Sequence, residues 1–399
     1  MKKILYICPL NPFDVSSGGH QRTNLICKAL SEIGHVDIAC FTDKDEYPAK
    51  ITIENCSIVS FQKRKSYFAR VRPKGWDKIA SLLKFYSSQS IENKEKIDTA
   101  EIKKILSQND YDYIVVRYLY TAIKCSLKLD NKVIIDIDDF PEQLFRSQMD
   151  IKSKSLAEAV FRKTYYFLRA QLAMFHTKRI IRKVNHVFMP IRDQAIYPNS
   201  SFLPNIPYPI NVKCNNSLSE DEKPHYVAFF VGKLSYLPNI SGVEHFLKNI
   251  WGDVVKEIPE ARFRIAGNGL SEEKKQQWES YKGVEVLGFI PDIIDEYKKC
   301  NVVVAPIYQG AGTNIKVLEA MYIEKACIVS EFGSNGFKDI LKDNENILIA
   351  QNDREFSNKL IKLLKDEDFA GEIAKKASQS IGENYSYESF SKSVHGYIK

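Results

Sequence analysis

The sequence predicts an α/β protein made of two doubly wound, Rossmann-like domains in succession. Three observations carry this. The chain has 399 residues, more than one ordinary hydrophobic core holds. Short β-branched apolar runs alternate with amphipathic stretches, the pattern of a parallel sheet covered on both faces. That alternation breaks at a proline-rich stretch near residue 205 and then starts again.

Taken in order, residues 3–8 form the first strand. The opening Lys2-Lys3 and the apolar residues after it have the outline of a secretory signal. The apolar run is short, however, and Pro9, Asn11, Pro12 and Asp14 interrupt it. Residues 9–19 read as a loop, 22–33 as an amphipathic helix closed by Gly34, and 36–41 as the next strand, completing a β-α-β unit. Further strands are expected at 51–60, 113–117, 132–136 and 186–189. Three prolines within 204–209 and a polar run to Pro224 mark a linker. Strands at 225–231, 263–266, 284–287, 302–305, 327–329 and 347–349 follow, separated by helical patterns. Ser241-Gly242-Val243-Glu244 has the form of a capping box opening one of those helices. The expected organisation is a first domain over 1–205, a linker over 206–224, a second domain over 225–382 and a C-terminal helix over 383–399.

Composition is that of a globular protein, 44% apolar and 27% charged. The eight cysteines are scattered, without a Cys-x-x-Cys pair or metal-ligand spacing, and read as the reduced thiols of a cytoplasmic protein. No window of about 18 apolar residues exists to span a membrane. The net charge of +7 is concentrated in the first 205 residues, while the remainder is mildly acidic. One face should therefore meet something anionic. Basic and aromatic residues interleave over 61–76 and again over 161–183. Such mixtures suit peripheral attachment to an anionic membrane surface. They also suit RNA, though no recognition motif for nucleic acid is present, or simply a solvated helical face.

The densest chemistry lies at 310–321, Gly-Ala-Gly-Thr-Asn-Ile-Lys-Val-Leu-Glu-Ala-Met, directly after the apolar run 301–306. Gly310 and Gly312 allow a sharp turn that presents successive N–H groups. Thr313 or Asn314 can cap a helix beginning near Ile315. Strand, turn and helix N-terminus together suit an anion. Glu319, one turn further on, leans back toward that terminus and can accept hydrogen bonds from a vicinal diol such as a ribose. Elsewhere, Gly232-Lys233 places a cation just past a strand. Gly18-Gly19 lies in the first βα loop, with Arg22 either adding charge or lying on a solvated helix face. Asp136-x-Asp138-Asp139 follows another strand. Carboxylates at i and i+2 can share a divalent ion; alternatively Asp138 or Asp139 orients or deprotonates a hydroxyl, or caps the next helix.

Gly310-x-Gly312-Thr313-x-x-Lys316-x-Leu318-Glu319-Ala320-Met321, after a strand ending in Pro306, resembles the donor-site signature of the family 4 retaining glycosyltransferases of GT-B architecture, the bacterial surface-polysaccharide type in particular. In the wider family two glutamates stand eight apart; Glu319 matches the second and Ala311 occupies the place of the first. The resemblance implies a ligand cleft between the two domains and transfer of a sugar from a nucleotide-diphosphate donor to a hydroxyl of a glycan, lipid-linked in such pathways, with retention of configuration. It assigns the diphosphate to Lys233, Lys316, Gly232 and the turn Gly310, Ala311, Gly312, Thr313 and Asn314. Asn239 stands where a second basic residue usually follows Lys233, and Lys316 would supply the missing charge. The resemblance further assigns the base to the backbone of Phe289 and Ile290, and the phosphate-facing glycine loop of the first domain to Gly18 and Gly19. Acceptor-side polar groups would be Asp138 and Asp139, so that Asp138, Asp139, Lys233 and Glu319 form the expected catalytic set. Asp136-x-Asp138 also has the form of the metal motif of the other glycosyltransferase class, GT-A, but the acceptor assignment is preferred, and neither metal nor cofactor is expected. The rival activities are a sugar-nucleotide epimerase or hydrolase on the same scaffold and a non-catalytic nucleotide-binding subunit.

Overall fold

The structure is a computed structural model. It describes residues 1–399 apart from 16, 43–50, 64–98, 139, 141, 143–144, 147, 150–154, 209–224, 292, 311–312, 383–384 and 399. The chain forms two compact units, one of Met1–Pro204 with Tyr387–Lys399, the other of Asn205–Ser386.

The first unit is built on a sheet of seven described strands: β1 (Lys2–Cys8), β2 (Gly34–Thr42), β3 (Cys56–Lys63), β4 (Tyr113–Arg117), β5 (Val133–Asp136), β6 (His186–Met189) and β7 (Ser200–Phe202). Their order is β3-β2-β1-β4-β5-β6-β7, and every pairing is parallel. The second unit carries β8 (Val227–Val231), β9 (Arg262–Ala266), β10 (Val284–Gly288), β11 (Val302–Ala305), β12 (Ala326–Ser330) and β13 (Leu348–Ala350), ordered β10-β9-β8-β11-β12-β13 and also parallel throughout. These are the two doubly wound sheets that the sequence predicts. Parallel strands are covered on both faces, so they read as unbroken apolar runs; Ile4, Leu5, Tyr6 and Ile7 are fully buried, as are Val302, Val303, Val304 and Ala305. In each sheet the strand order reverses beside the first strand, at β1/β4 and at β8/β11. Such switch points are where ligands of doubly wound sheets bind, at the carboxyl ends of the strands.

Several boundaries differ from expectation for local reasons. The helix Gly18–Ser31 begins four residues before Arg22, so Gly18 and Gly19 form its first turn and not a loop. β3 starts only at Cys56, because Asn55 takes a positive φ of 55° and turns the chain. Tyr226, with φ also 55°, delays β8 to Val227 in the same way. β7 is an additional short strand on the approach to the linker. Ser241 opens no helix. The helix Leu237–Asn249 has already started, with proline in its first turn, and the Ser241 hydroxyl donates back to the Leu237 carbonyl at 2.9 Å.

The C-terminal helix Tyr387–His395 packs within the first unit on Gly18–Ser31, burying Phe390 and Val394. The His395 ring donates to the Ala29 carbonyl at 2.7 Å, and the Tyr387 hydroxyl donates to Glu32 at 2.6 Å. Among the described residues no helix is long and apolar enough to cross a membrane.

One close approach fixes the second unit's switch point. A Cβ on Gly242 would lie 2.1 Å from the Pro306 carbonyl oxygen, so only glycine lets the helix Leu237–Asn249 seat against the end of β11. The obstacle is backbone, and no rotamer change relieves it. Gly242→Ala is expected to destabilise by about 1–3 kcal/mol and to lower the thermal midpoint of the second unit. An unchanged midpoint contradicts the contact.

Candidate active site

The second unit's site begins with two loops that the sheet order brings side by side. After β8 the chain passes through Gly232 and the exposed Lys233; after β11 it passes through Pro306 to Asn314 into the helix Ile315–Tyr322. One side chain bridges them. Asn239 donates from Nδ2 to the Lys233 carbonyl at 3.0 Å and accepts on Oδ1 from the Lys316 ammonium at 3.2 Å. Lys316 thus reaches the position beside Asn239 where the sequence lacks a basic residue. Its ammonium also lies 5.0 Å from the centre of the Phe230 ring. Lys316 is buried, and burial pulls its pKa down to about 8 despite the opposing pull of the Glu319 carboxylate.

Glu319 is not the surface residue that a bare loop-and-helix reading allows. It is 7% exposed, three residues from Lys316 on the same helix. Its Oε2 accepts a 2.9 Å hydrogen bond from the Tyr297 hydroxyl. Burial pushes the carboxyl pKa upward, against the Tyr297 hydrogen bond and the Lys316 charge, which both lower it. Tyr297 is itself fully buried on the helix Ile293–Lys298, its ring edge-on to Phe229 at 5.4 Å. No sequence signal pointed to Tyr297. Two charged groups buried together at a switch point are costly to the fold, and such clusters concentrate at functional sites.

The glycine turn is partly as expected. Gly310 has a φ of 123°, a conformation that side chains resist, and Pro238 and Tyr236 crowd it. Ala311 and Gly312 lie outside the described residues. Thr313 accepts from the Asn205 amide through Oγ1. Asn314 takes the N-cap position of Ile315–Tyr322 but does not cap it; its Nδ2 donates instead to the Gly333 carbonyl at 2.8 Å. The first turn therefore has no side-chain cap and no acidic residue, which suits an approaching anion. Past the carboxyl end of β10, Phe289 is 59% exposed and Ile290 half-buried. β10 is two strands from β8, about 10 Å at ordinary strand spacing, within the span of a nucleotide.

The first unit holds a second cluster, which corrects the expectation for Arg22. Arg22 is 2% exposed and clasps Asp136, Nε to Oδ2 at 3.0 Å and Nη2 to Oδ1 at 2.6 Å, while Nη1 donates to the Pro204 carbonyl at 2.9 Å. Arg117, at the end of β4, donates from Nη1 to Asp136 and from Nη2 to Asp138 at 2.6 Å. With both Asp136 oxygens engaged by guanidinium groups, a metal shared between Asp136 and Asp138 does not fit this arrangement. Asp138 keeps 18% side-chain exposure. The Tyr118 hydroxyl stands 3.3 Å from Arg117 Nη2 and 3.5 Å from Asp138 Oδ2, on a backbone held at φ 67°. A Cβ on Gly19 would meet that hydroxyl at 3.2 Å, so the start of Gly18–Ser31 converges on the same place. Asp139 lies outside the described residues, as does the segment 61–76 from residue 64 onward.

Residues 225–366 match the family described as Glycosyl transferases group 1. A protein of the cps region of Klebsiella pneumoniae, itself described as uncharacterised, is 25% identical over 402 residues, covering 96% of this chain and 97% of the relative. Residues 225–366 thus resemble the group 1 glycosyltransferases, and the cps-region relative extends a likeness along the rest of the chain. An alpha-1,4-N-acetyl-D-galactosaminyltransferase of Campylobacter jejuni, whose name gives a PP-undecaprenol-linked saccharide as acceptor, is 29% identical over 170 residues, 40% of this chain and 44% of that one. Among solved structures, sucrose-phosphate synthase from Thermosynechococcus elongatus superposes with a TM-score of 0.68 at 14% identity, covering 99% of this chain and 98% of that one. That likeness is one of fold, the two-sheet GT-B architecture.

The charge on Lys316 yields a signed prediction for the second unit. Its folded pKa of about 8 is below the ordinary lysine value of 10.5. Between those values the unfolded chain binds more protons, so this residue's contribution to stability rises with pH there and is a penalty below pH 8. Lys316→Met removes the penalty. At pH 7 the unliganded variant should be more stable by on the order of 1–3 kcal/mol, and added nucleoside diphosphate should stabilise the parent but not the variant. A variant that is less stable, or that is still stabilised by diphosphates, contradicts the assignment.

Proposed function

We propose that this glycosyltransferase moves a sugar, with retention, from a nucleotide-diphosphate donor to a hydroxyl of a lipid-linked glycan in surface-polysaccharide synthesis. The observation that carries the donor half is the buried Lys316 ammonium beside Asn239, one turn from the buried Glu319, at the uncapped start of Ile315–Tyr322. Glu319 accepts from the ribose diol with the oxygen that Tyr297 does not occupy. Lys233, Lys316 and the amides of 310–314 hold the diphosphate, and the backbone of Phe289 and Ile290 meets the base. The Campylobacter relative's named acceptor supports the lipid-linked half; the likeness to retaining enzymes supports retention.

The chemical task is to stabilise charge on the departing diphosphate. Preorganised donors in a water-poor site do this without rearrangement during the reaction. Lys316 suits the task because its desolvation is already complete before the donor arrives. No metal is required in this scheme, since two cations and a helix terminus face the diphosphate. On the acceptor side, Asp138 is steered by Arg117 and Tyr118, and takes or orients the proton of the attacking hydroxyl; Asp139 is its neighbour in sequence.

The test pairs binding with turnover. A panel of nucleoside diphosphates at saturating excess should raise stability by ~3–4 kcal/mol for the cognate base. Glu319→Ala should reduce that gain by about 1.5–3 kcal/mol and cut transfer, assayed in excess chelator, by two or more orders of magnitude with the fold intact. Three outcomes contradict the proposal. They are full activity of the variant at low donor, activity that appears only when Mg or Mn is restored, and rapid donor turnover without acceptor, the mark of a hydrolase or epimerase.

A further inference from the structure

Fifteen large apolar side chains are exposed among the described residues, and six of them lie on the helix Leu156–Ile181: Leu156, Val160, Phe161, Phe167, Leu168 and Phe175. The clustering is directional. The buried stripe of this helix is Arg169, Ala170, Ala173, Thr177 and Ile181. At 3.6 residues per turn, positions 160, 164, 167, 168, 171 and 175 form the opposite stripe, which runs on into Lys178, Arg179 and Arg182. Phe167 and Phe175 are 50% and 61% exposed. An outer helix face facing only water is normally charged. This one carries Val160, Phe167, Leu168 and Phe175 along about 23 Å, with only the uncharged Thr164 and Gln171 between them, and is basic at its end; the single acid of the helix, Glu158, lies in its first turn.

We propose that this outer face docks on an anionic lipid bilayer, the helix lying in the surface plane. Phe167, Leu168 and Phe175 enter the boundary between headgroups and acyl chains, and Arg179, Arg182 and Lys183 meet lipid phosphates. Two features select a bilayer as the occupant. Its exposed apolar residues are spread along one helix from Val160 to Phe175, as contact with an extended surface requires, and its charge is of one sign, continuing the basic excess of the first 205 residues. The inference deepens the proposed function and rests on its lipid-linked acceptor, which would be anchored in the same bilayer.

The test is sedimentation of the full chain with vesicles, without donor or acceptor. Vesicles of phosphatidylcholine with phosphatidylglycerol should carry the protein down and pure phosphatidylcholine should not, with binding weakening as salt rises. The combined change Phe167→Ser, Leu168→Ser and Phe175→Ser should weaken binding at least tenfold with an unchanged unfolding midpoint. Arg179→Ser, Arg182→Ser and Lys183→Ser together should do the same through charge. Absence of vesicle binding, or undiminished binding by either variant, overturns the proposal. So does a parent that is dimeric in solution, ignores vesicles and becomes monomeric on the apolar change, since the face would then meet a second copy. Because no sugar is transferred in this assay, it fails independently of the acceptor reading. That reading falls instead if docking holds but no lipid-linked saccharide is extended.

Discussion

A buried ammonium needs an anion, and Lys316 has been given an amide oxygen as its hydrogen-bond partner. This one constraint organises the second unit's site. Lys316 can occupy its place only because Asn239 offers Oδ1 to it and ties down the neighbouring loop through the Lys233 carbonyl. Asn239 lies within Leu237–Asn249, the helix that Gly242 allows to sit against Pro306. Glu319 offsets part of the charge from one turn away and is itself fixed by Tyr297. Each element is ordinary, but together they leave a cation whose desolvation has already lowered its pKa to about 8. In the proposed function a diphosphate is the missing counter-charge.

The first unit solves the same problem in the opposite way. Arg22, Arg117, Asp136 and Asp138 alternate in sign and are closed on one another, with Asp136 wholly buried and contacted from both sides. Breaking such a network by removing one member leaves an uncompensated buried charge, at about 3–5 kcal/mol. The network is therefore a rigid platform at the β1/β4 switch point, and Asp138 is the member left partly open to solvent. The contrast matches the division of labour in the proposal: the donor side is charged and unfinished, the acceptor side is preorganised around a single carboxylate.

What the sequence disclosed follows from how local each signal is. The two parallel sheets were legible because strands buried on both faces carry continuous apolar runs, and the break near residue 205 separates two such series. Gly310 and the helix start at Ile315 were legible because positive φ and strand-to-helix turns restrict residue type within a few positions. The placing of Lys316 beside Asn239 was legible only through likeness to a family. Tyr297, Arg22 and Arg117 were not legible in their observed roles. Tyr297 meets Glu319 across 22 residues, and Arg22 meets Asp136 across 114, so no window of sequence contains either pair. The capping box at Ser241 misled for the same reason in reverse: a locally valid pattern yielded to a helix that starts earlier, at Leu237.

The central claim is that Lys316 is a partly deprotonated cation awaiting a diphosphate, and proton uptake on binding tests it most directly. Calorimetric titration of the cognate nucleoside diphosphate at pH 8, in buffers of different ionisation enthalpy, reports the protons taken up. At a pH equal to its pKa a group is half protonated, and an anion beside it drives protonation toward completion, so the account predicts uptake of about half a proton per site. The uptake should vanish in Lys316→Met. Binding of the diphosphate to the parent with no net proton uptake at pH 8 would contradict the account.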